Sequence, residues 1–280
     1  PVAPPRGPAL SCSGRDGITL PRLVDTHCHL TAEAFAADRA AVVERARQAG
    51  VAACVVVAVD AASAEAAAEL AAGQPGWAVA TAGVHPTEAA VADADEWRRV
   101  EELLGSGRFR AVGETGLDDF HKDVPLTAQR PSLHRHVEAA LACDLPVILH
   151  CRDAFPALHD ELRRYAGSPL RGVLHCFTGG AADAERLLSL GLHLGVGGVS
   201  TYKPNAELRA TLRAAPLDRL LLETDAPWLA PQAVRGKRNE PAFVAHVAAA
   251  LAADRGLGLP ELAAATTANA EALFGLKLAV

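Results

Sequence analysis

The amino-acid sequence predicts an α/β protein that folds as a single-domain (β/α)8 barrel, the TIM-barrel architecture. Eight short apolar runs can be identified along the chain, with segments of helical character between them. Five of these runs lead into histidine or carboxylate residues, as expected where the carboxyl ends of parallel strands open onto one rim of a barrel. The length of 280 residues also fits, since one barrel needs about 250.

The predicted elements alternate along the whole chain. The strands are predicted at residues 23–27, 53–59, 78–84, 109–114, 146–150, 172–175, 193–197 and 219–224. The clearest helices, 38–49 and 181–190, are each followed by a glycine, which is a common helix stop. A flat doubly wound sheet is the alternative, but no Gly-x-Gly-x-x-Gly sequence follows the first strand.

The two ends of the chain differ from this repeat. Residues 226–240 are polar and rich in Pro, Arg and Gly, which predicts a rim loop, and the helices 241–254 and 260–274 close the chain. Residues 1–21 are rich in Pro, Gly and Ser and lack the pattern of a secretory signal, so we predict a flexible extension there. The barrel domain is then 22–280.

Composition restricts the class of protein. No apolar run approaches the roughly 20 residues of a membrane helix, so no membrane association is expected. The net charge of -6 argues against a surface that binds polyanions everywhere, although a local basic patch remains compatible with it. The six cysteines include no Cys-x-x-Cys pair, and three of them adjoin candidate metal ligands, which favours a reducing, cytoplasmic location.

The first strand ends in Asp25-Thr26-His27-Cys28-His29. His27 and His29 are two residues apart, so on an extended strand both side chains point to the same side and can bind one metal ion. Asp25 lies on the same side of the strand and could orient a ligand histidine. The alternative is a pair of hydrogen-bonded structural histidines.

Four later strand ends carry similar residues. Glu114 lies in Gly113-Glu114-Thr115-Gly116, where glycines allow close backbone approach, and its two oxygens could bridge two cations. His150 and His175 offer imidazoles for a second cation, and Asp225 could hold a water and accept its proton. Each has a structural alternative: a helix cap for Glu114, a satisfied histidine for His150 and His175, and a turn residue for Asp225.

Taken in order, these motifs resemble the TatD family of metal-dependent deoxyribonucleases, within the amidohydrolase-like barrel superfamily. The resemblance runs from about residue 23 to residue 276. Its carriers are Asp25-Thr26-His27-Cys28-His29-Leu30, Gly83-Val84-His85-Pro86, Gly113-Glu114-Thr115-Gly116-Leu117-Asp118, Leu149-His150-Cys151-Arg152-Asp153-Ala154, His175-Cys176-Phe177-Thr178-Gly179, Glu223-Thr224-Asp225-Ala226-Pro227-Trp228-Leu229, Arg235-Gly236-Lys237-Arg238-Asn239-Glu240-Pro241, and Asn269 with Phe274-Gly275.

The resemblance implies up to two divalent ions (Mg, Mn or Zn) and hydrolysis of phosphodiester bonds in DNA, often as an exonuclease with a role in DNA repair or turnover. A metal-activated water would be the nucleophile, with Asp225 and Glu114 as catalytic residues. The implied ligands are His27, His29, Glu114 and Asp225 for the first ion, and Glu114, His150 and His175 for the second. Two segments depart from the family, 118–122 and the Pro131-containing 127–136, and both follow the fourth strand.

Basic residues on the same rim predict contacts with a phosphate backbone. The candidates for substrate binding are His85, Arg152, Lys203, Arg235 and Lys237, with Arg238 beside them; ordinary solvated surface is the alternative for each cation. Tyr202 and Trp228 could stack on a base or simply pack. The leading prediction is a monomeric exonuclease acting on single-stranded or frayed DNA ends. A small-molecule amidohydrolase or lactonase with the same two-metal site, and a non-catalytic interaction protein, are the alternatives.

Overall fold

Eight parallel strands form one sheet whose order follows the chain, in a computed structural model that describes residues 20–278. Each strand is hydrogen-bonded to the next, from β1 to β8. The strands are β1 (Leu23–Cys28), β2 (Val51–Val56), β3 (Ala78–Ala82), β4 (Phe109–Asp118), β5 (Val147–Arg152), β6 (Gly172–Leu174), β7 (Leu192–Val196) and β8 (Leu220–Leu222). The predicted (β/α)8 barrel is therefore confirmed, strand by strand.

Helices occupy the connections between the strands and the carboxyl end of the chain. They are α1 (Arg39–Gln48), α2 (Ala61–Gly73), α3 (Ala94–Gly105), α4 (Leu126–Cys143), α5 (Phe155–Leu162), α6 (Ala181–Ser189), α7 (Ala206–Ala214), α8 (Val244–Arg255) and α9 (Leu259–Phe274). The predicted helix at 241–254 begins with a 3-10 turn, Pro241–Phe243, before α8. The predicted extension at 1–21 lies almost wholly outside the described residues.

The largest boundary difference is in β4, which was predicted to end at Glu114. The strand continues for four more residues because they pair with β5, with Thr115 opposite Leu149 and Asp118 opposite Arg152. This pairing depends on a neighbouring strand that is distant in sequence, so apolar pattern alone did not reveal it. The extension carries Asp118 up to the rim, beside the residues that end β5.

The barrel closes where β1 meets the segment after β8. Cys28 pairs with Ala226 in a parallel bridge, the Asp225 backbone N–H donates to the His27 carbonyl (2.8 Å), and the Thr26 hydroxyl donates to the Leu222 carbonyl (3.0 Å). These bonds join the two outer strands of the sheet at this position. It also places the ends of β1 and β8 side by side at the rim.

Two apolar clusters surround the strands. The larger one lies between the sheet and the helices, and the smaller one includes Val55, Ile148, Val173 and Leu221 together with Phe274 of α9. Ile148 and Val173 precede His150 and His175 by two residues, so each pair shares one face of its strand. The candidate metal ligands therefore sit directly above packed apolar side chains.

In the described part of the chain, no single helix is long and apolar enough to cross a membrane. The segments Pro241–Arg255 and Leu259–Phe274 reach that length and composition only as a pair, and they are bent by 113°.

A buried histidine of α4 predicts how stability depends on pH. His136 is 1% exposed; its Nε2 accepts the Val84 N–H (2.8 Å), and its Nδ1–H donates to the Ser132 carbonyl (2.7 Å). Burial lowers the pKa of His136 to about 4, whereas an unfolded histidine has a pKa near 6.5. The unfolded chain therefore binds more protons between these values, and stability falls as the pH drops from 6.5 to 4, by about 3 kcal/mol from this group.

Urea unfolding of the wild type and His136→Gln across pH 4 to 8 tests this, because glutamine can still accept the Val84 N–H but does not titrate. We expect the difference in unfolding free energy between the two proteins to change below pH 6.5. Parallel curves for the two proteins would contradict the assignment.

Candidate metal centre

The first group of candidate ligands combines the ends of β1, β4 and β8. The Nε2 atoms of His27 and His29 are 3.1 Å apart. Glu114 Oε2 lies 3.3 Å from His27 Nε2 and 3.6 Å from His29 Nε2. Asp225 Oδ1 lies 3.8 Å and 3.4 Å from the same two nitrogens. All four side chains are nearly or fully buried, and they converge on one small volume.

The second group shares Glu114 but uses its other oxygen. Glu114 Oε1 lies 2.7 Å from His175 Nε2 and 2.9 Å from His150 Nδ1, and these two nitrogens are 3.1 Å apart. His85 Nε2 is 3.5 Å from the same oxygen, and its ring meets the His150 ring edge to face. The structure thus places His85, expected as a substrate contact, within reach of the second group.

These donor atoms fit divalent ions. Ligands held at about 2.1 Å from a tetrahedral or octahedral ion are about 3.0 to 3.4 Å from one another, close to the separations seen here. Imidazole nitrogens and carboxylate oxygens without thiolates suit Mg, Mn or Zn. Placing so many lone pairs together in a buried volume is unfavourable unless protons or cations lie between them. The structure therefore brings the six predicted ligands together at separations that suit binding of a divalent cation.

Two glycines allow Glu114 to reach the centre. A Cβ at Gly83 would lie 2.6 Å from the Gly113 Cα, and a Cβ at Gly113, where φ is +130°, would lie 2.6 Å from the Ile148 carbonyl oxygen. Real Cβ atoms do not come this close, so only glycine permits β3, β4 and β5 to pack in this way. The Glu114 backbone N–H donates to the Ala58 carbonyl (3.0 Å), which fixes the direction of its side chain.

Hydrogen bonds from outside the two groups orient the imidazoles. His29 Nδ1–H donates to the Val57 carbonyl (3.2 Å), which leaves its Nε2 lone pair facing inward. His150 Nε2–H donates to Asp118 Oδ2 (3.2 Å), which leaves Nδ1 facing Glu114. The carboxylate of Glu223 lies 3.7 Å from His175 Nδ1, an electrostatic contact rather than a hydrogen bond.

The sequence did not single out Asp118 or Glu223 as site residues, although both lie inside motifs that it identified. Asp25 was expected to orient a ligand histidine, and it contacts His27 through the backbone: its carboxylate accepts the His27 backbone N–H (3.3 Å) and makes no hydrogen bond to the imidazole. The same carboxylate accepts the backbone N–H (2.9 Å) and hydroxyl (2.6 Å) of Thr224. The pairing of β1 with β2 is irregular between Asp25 and Cys28, and Asp25 also joins β1 to β8.

The pKa values of the candidate ligands are shifted because these side chains are buried close together. Burial disfavours every charge, yet the carboxylates of Glu114 and Glu223 raise the pKa of His175 well above its usual value. Burial also opposes the charge on Glu114, but the surrounding His175, His27 and His85 hold its pKa well below its usual value. These shifts favour Glu114 as the anion and His175 as its protonated partner.

The predicted rim cations have different surroundings. The Arg152 guanidinium lies 3.7 Å from the centroid of the Phe120 ring, and that of Arg235 lies 4.3 Å from the centroid of the Tyr202 ring. Lys203 and Lys237 are exposed. Arg238 is paired with Asp38 (2.8 Å) and Glu240 (2.9 Å), so it holds the rim loop against α1 instead of facing solvent freely.

A family model described as TatD related DNase matches residues 24–275. The chain belongs to the TatD-related DNase family. It is 38% identical over 260 residues to the "3'-5' ssDNA/RNA exonuclease TatD" of Erwinia amylovora, covering 91% of this chain and 100% of that protein. It is 34% identical over 252 residues to the "uncharacterized metal-dependent hydrolase YabD" of Bacillus subtilis, covering 90% and 98%.

Comparison with solved structures leads to the same family. The crystal structure of YJJV, a TatD homologue from Escherichia coli K12, superposes with a TM-score of 0.86 at 33% identity and covers 92% of this chain and 100% of that one. The resemblance drawn from the sequence motifs of this TatD-family chain is thereby confirmed.

Asp118 provides a test of how the second group is held. Replacing Asp118 with Asn removes the negative charge that holds His150 Nε2–H, so we expect divalent-metal affinity at this group to fall about 10- to 100-fold. Titration calorimetry with Mn²⁺ measures it. The matched control is Asp119→Asn, because Asp119 is half-exposed and paired with Lys122 (2.8 Å). Equal affinities in the two variants would rule out this role for Asp118.

Proposed function

We propose that this TatD-family chain is a divalent-metal-dependent exonuclease that shortens single-stranded DNA from its 3′ end. The observation that carries the proposal is the sharing of Glu114 between two groups of imidazole ligands at the open rim of the barrel. Its two oxygens face different groups, as suits two cations about 3.5 to 4 Å apart in enzymes that hydrolyse phosphoesters. The polarity and the single-stranded substrate are taken from the names of the relatives.

The proposed roles of individual residues follow from their contacts. Divalent ions held by the two groups would polarise a phosphoryl oxygen and lower the pKa of an attacking water. Burial disfavours the charge on Asp225, but the neighbouring imidazoles of His29 and His27 lower its pKa overall, so it is an anion that can accept a proton. His85, at the edge of the second group and partly exposed, is suited to contact a phosphate oxygen or protonate the leaving oxygen.

The surroundings of the centre suit a polyanion. Arg152, Lys203, Arg235 and Lys237 are exposed in loops or strand ends on the side of the barrel that carries the ligands. They would contact successive phosphates, although the whole chain has a net charge of -6. The free thiols of the described cysteines favour a reducing, cytoplasmic setting. That two ions bind, and that the protein is a monomer, stay predictions.

Digestion of a single-stranded oligonucleotide tests the proposal. With Mg²⁺ or Mn²⁺ we expect a strand labelled at its 5′ end to give a ladder of shorter products, and a 3′ label to be released at once. Asp225→Asn should lower the rate by about 100-fold or more, because it removes the proton acceptor, and EDTA should abolish cleavage. Asp218→Asn is the matched control, since this exposed aspartate precedes β8 at the opposite end of the barrel. Metal binding without cleavage by any metal would contradict the proposal.

The salt dependence of binding separates a nuclease from a small-molecule hydrolase. Each phosphate contact on a single strand contributes about 0.7 to the slope of log affinity against log salt. Lys203→Ala and Lys237→Ala should therefore each reduce the slope by about that amount, whereas Lys277→Ala, beyond α9 at the other end of the barrel, should not. Anisotropy titrations at several salt concentrations give the slopes, and a slope near zero for the wild type would favour the amidohydrolase or lactonase alternative.

A further inference from the structure

Two aromatic side chains stand out because of where they are exposed. Within residues 20–278, Phe120 is 52% exposed and Trp228 is 53% exposed, while the other phenylalanine, tyrosine and tryptophan rings are half-buried or buried. Single exposed apolar residues are common and carry no meaning by themselves. These two, however, follow the ends of β4 and β8, which are four strands apart in an eight-stranded barrel. They therefore stand on opposite sides of the candidate metal centre.

Phe120 is connected to the second ligand group by one carboxylate. Asp118 Oδ1 accepts the backbone N–H of Phe120 (2.9 Å), and Asp118 Oδ2 accepts the Nε2–H of His150 (3.2 Å). The Arg152 guanidinium lies over the ring, 3.7 Å from its centroid, and the His121 ring meets it at 84° with centroids 5.1 Å apart, while 52% of Phe120 remains exposed. The ring thus has a fixed backbone, a cation and an imidazole as neighbours, and exposed surface next to the rim.

Trp228 is connected to the first ligand group in a comparable way. Its backbone N–H donates to the Asp225 carbonyl (2.9 Å), and its carbonyl accepts from Asn239 Nδ2 (2.6 Å). Asn239 is fully buried and also donates to the Thr224 carbonyl (2.7 Å), so the turn after β8 is held firmly. The indole meets the His29 ring at 67° with centroids 5.0 Å apart.

We propose that Phe120 and Trp228 are two base-stacking platforms that hold unpaired nucleobases on either side of the bond to be cut. Every base has a π face, so an aromatic ring binds it whatever its identity, and the Arg152 guanidinium adds a charge for the adjoining phosphate. Bases within a duplex are already stacked on one another and cannot use such platforms. This inference rests on the proposed function and adds the reason why a single strand is the substrate.

Binding of oligonucleotides in EDTA tests the platforms separately from catalysis. A ten-nucleotide strand carrying a 5′ fluorophore is titrated with the wild type and with Phe120→Leu and Trp228→Leu, which keep apolar volume but remove the ring. Each should weaken binding about tenfold. Phe120→Tyr and Trp228→Phe keep a ring and should stay within about twofold of the wild type. Strand binding should also quench tryptophan fluorescence, and Trp228→Leu but not Phe120→Leu should remove that quenching.

Strands with a single abasic site at each of the last four positions identify the stacked bases. In the wild type, two positions should lose about tenfold in affinity and the others little. Phe120→Leu should become insensitive to one of these positions and Trp228→Leu to the other. Equal losses at all positions in the wild type, or leucine variants that bind like the wild type, would overturn the inference, and the wild-type scan decides even if a variant does not fold. Failure of the wild type to cleave any strand with metal, while the abasic pattern holds, would count against the nuclease proposal alone.

Discussion

The seam between β1 and β8 is the contact on which the candidate site depends. The His27 carbonyl accepts the Asp225 N–H, and the carboxylate of Asp25 accepts both the N–H and the hydroxyl of Thr224. These groups are buried, so each bond that is lost leaves an unsatisfied polar atom in the interior. Because His27 and His29 lie at the end of β1 and Asp225 follows β8, the contact that closes the barrel also brings together three of the four members of the first ligand group.

The second constraint is the charge at the centre. Glu114 is 2% exposed and lies beside five imidazoles, so its buried negative charge needs positive charge close by, which protonated imidazoles or a bound cation can supply. The apolar layer beneath, with Ile148 and Val173 two residues before His150 and His175, excludes water from one side. The centre is open only at the rim. The packing that stabilises the barrel therefore also determines the side from which a ligand can enter.

Much of this could be predicted from the sequence, because parallel strands buried on both faces appear as apolar runs and their ends share one rim. His27, His29, Glu114, His150, His175 and Asp225 each follow such a run, and the structure brings all six together. The contacts of Asp118 and Asp25 could not be predicted. Both depend on strand register, the extension of β4 along β5 in one case and an irregularity in β1 in the other, and register is set by partners far away in sequence.

Partners far away in sequence also give neighbouring rim residues different surroundings. Arg238 and Arg235 are three residues apart in a single basic segment, yet Arg238 is paired with Asp38 and Glu240 while Arg235 lies over Tyr202 and remains exposed. Arg238 thus fixes the loop, while Arg235 remains exposed to solvent. The rim is held by hydrogen bonds on both sides, through Asp118 at the end of β4 and Asn239 in the loop after β8. A rim attached this firmly to the ligand groups is pre-organised, so a strand bound there as proposed above would lose little free energy to ordering the protein.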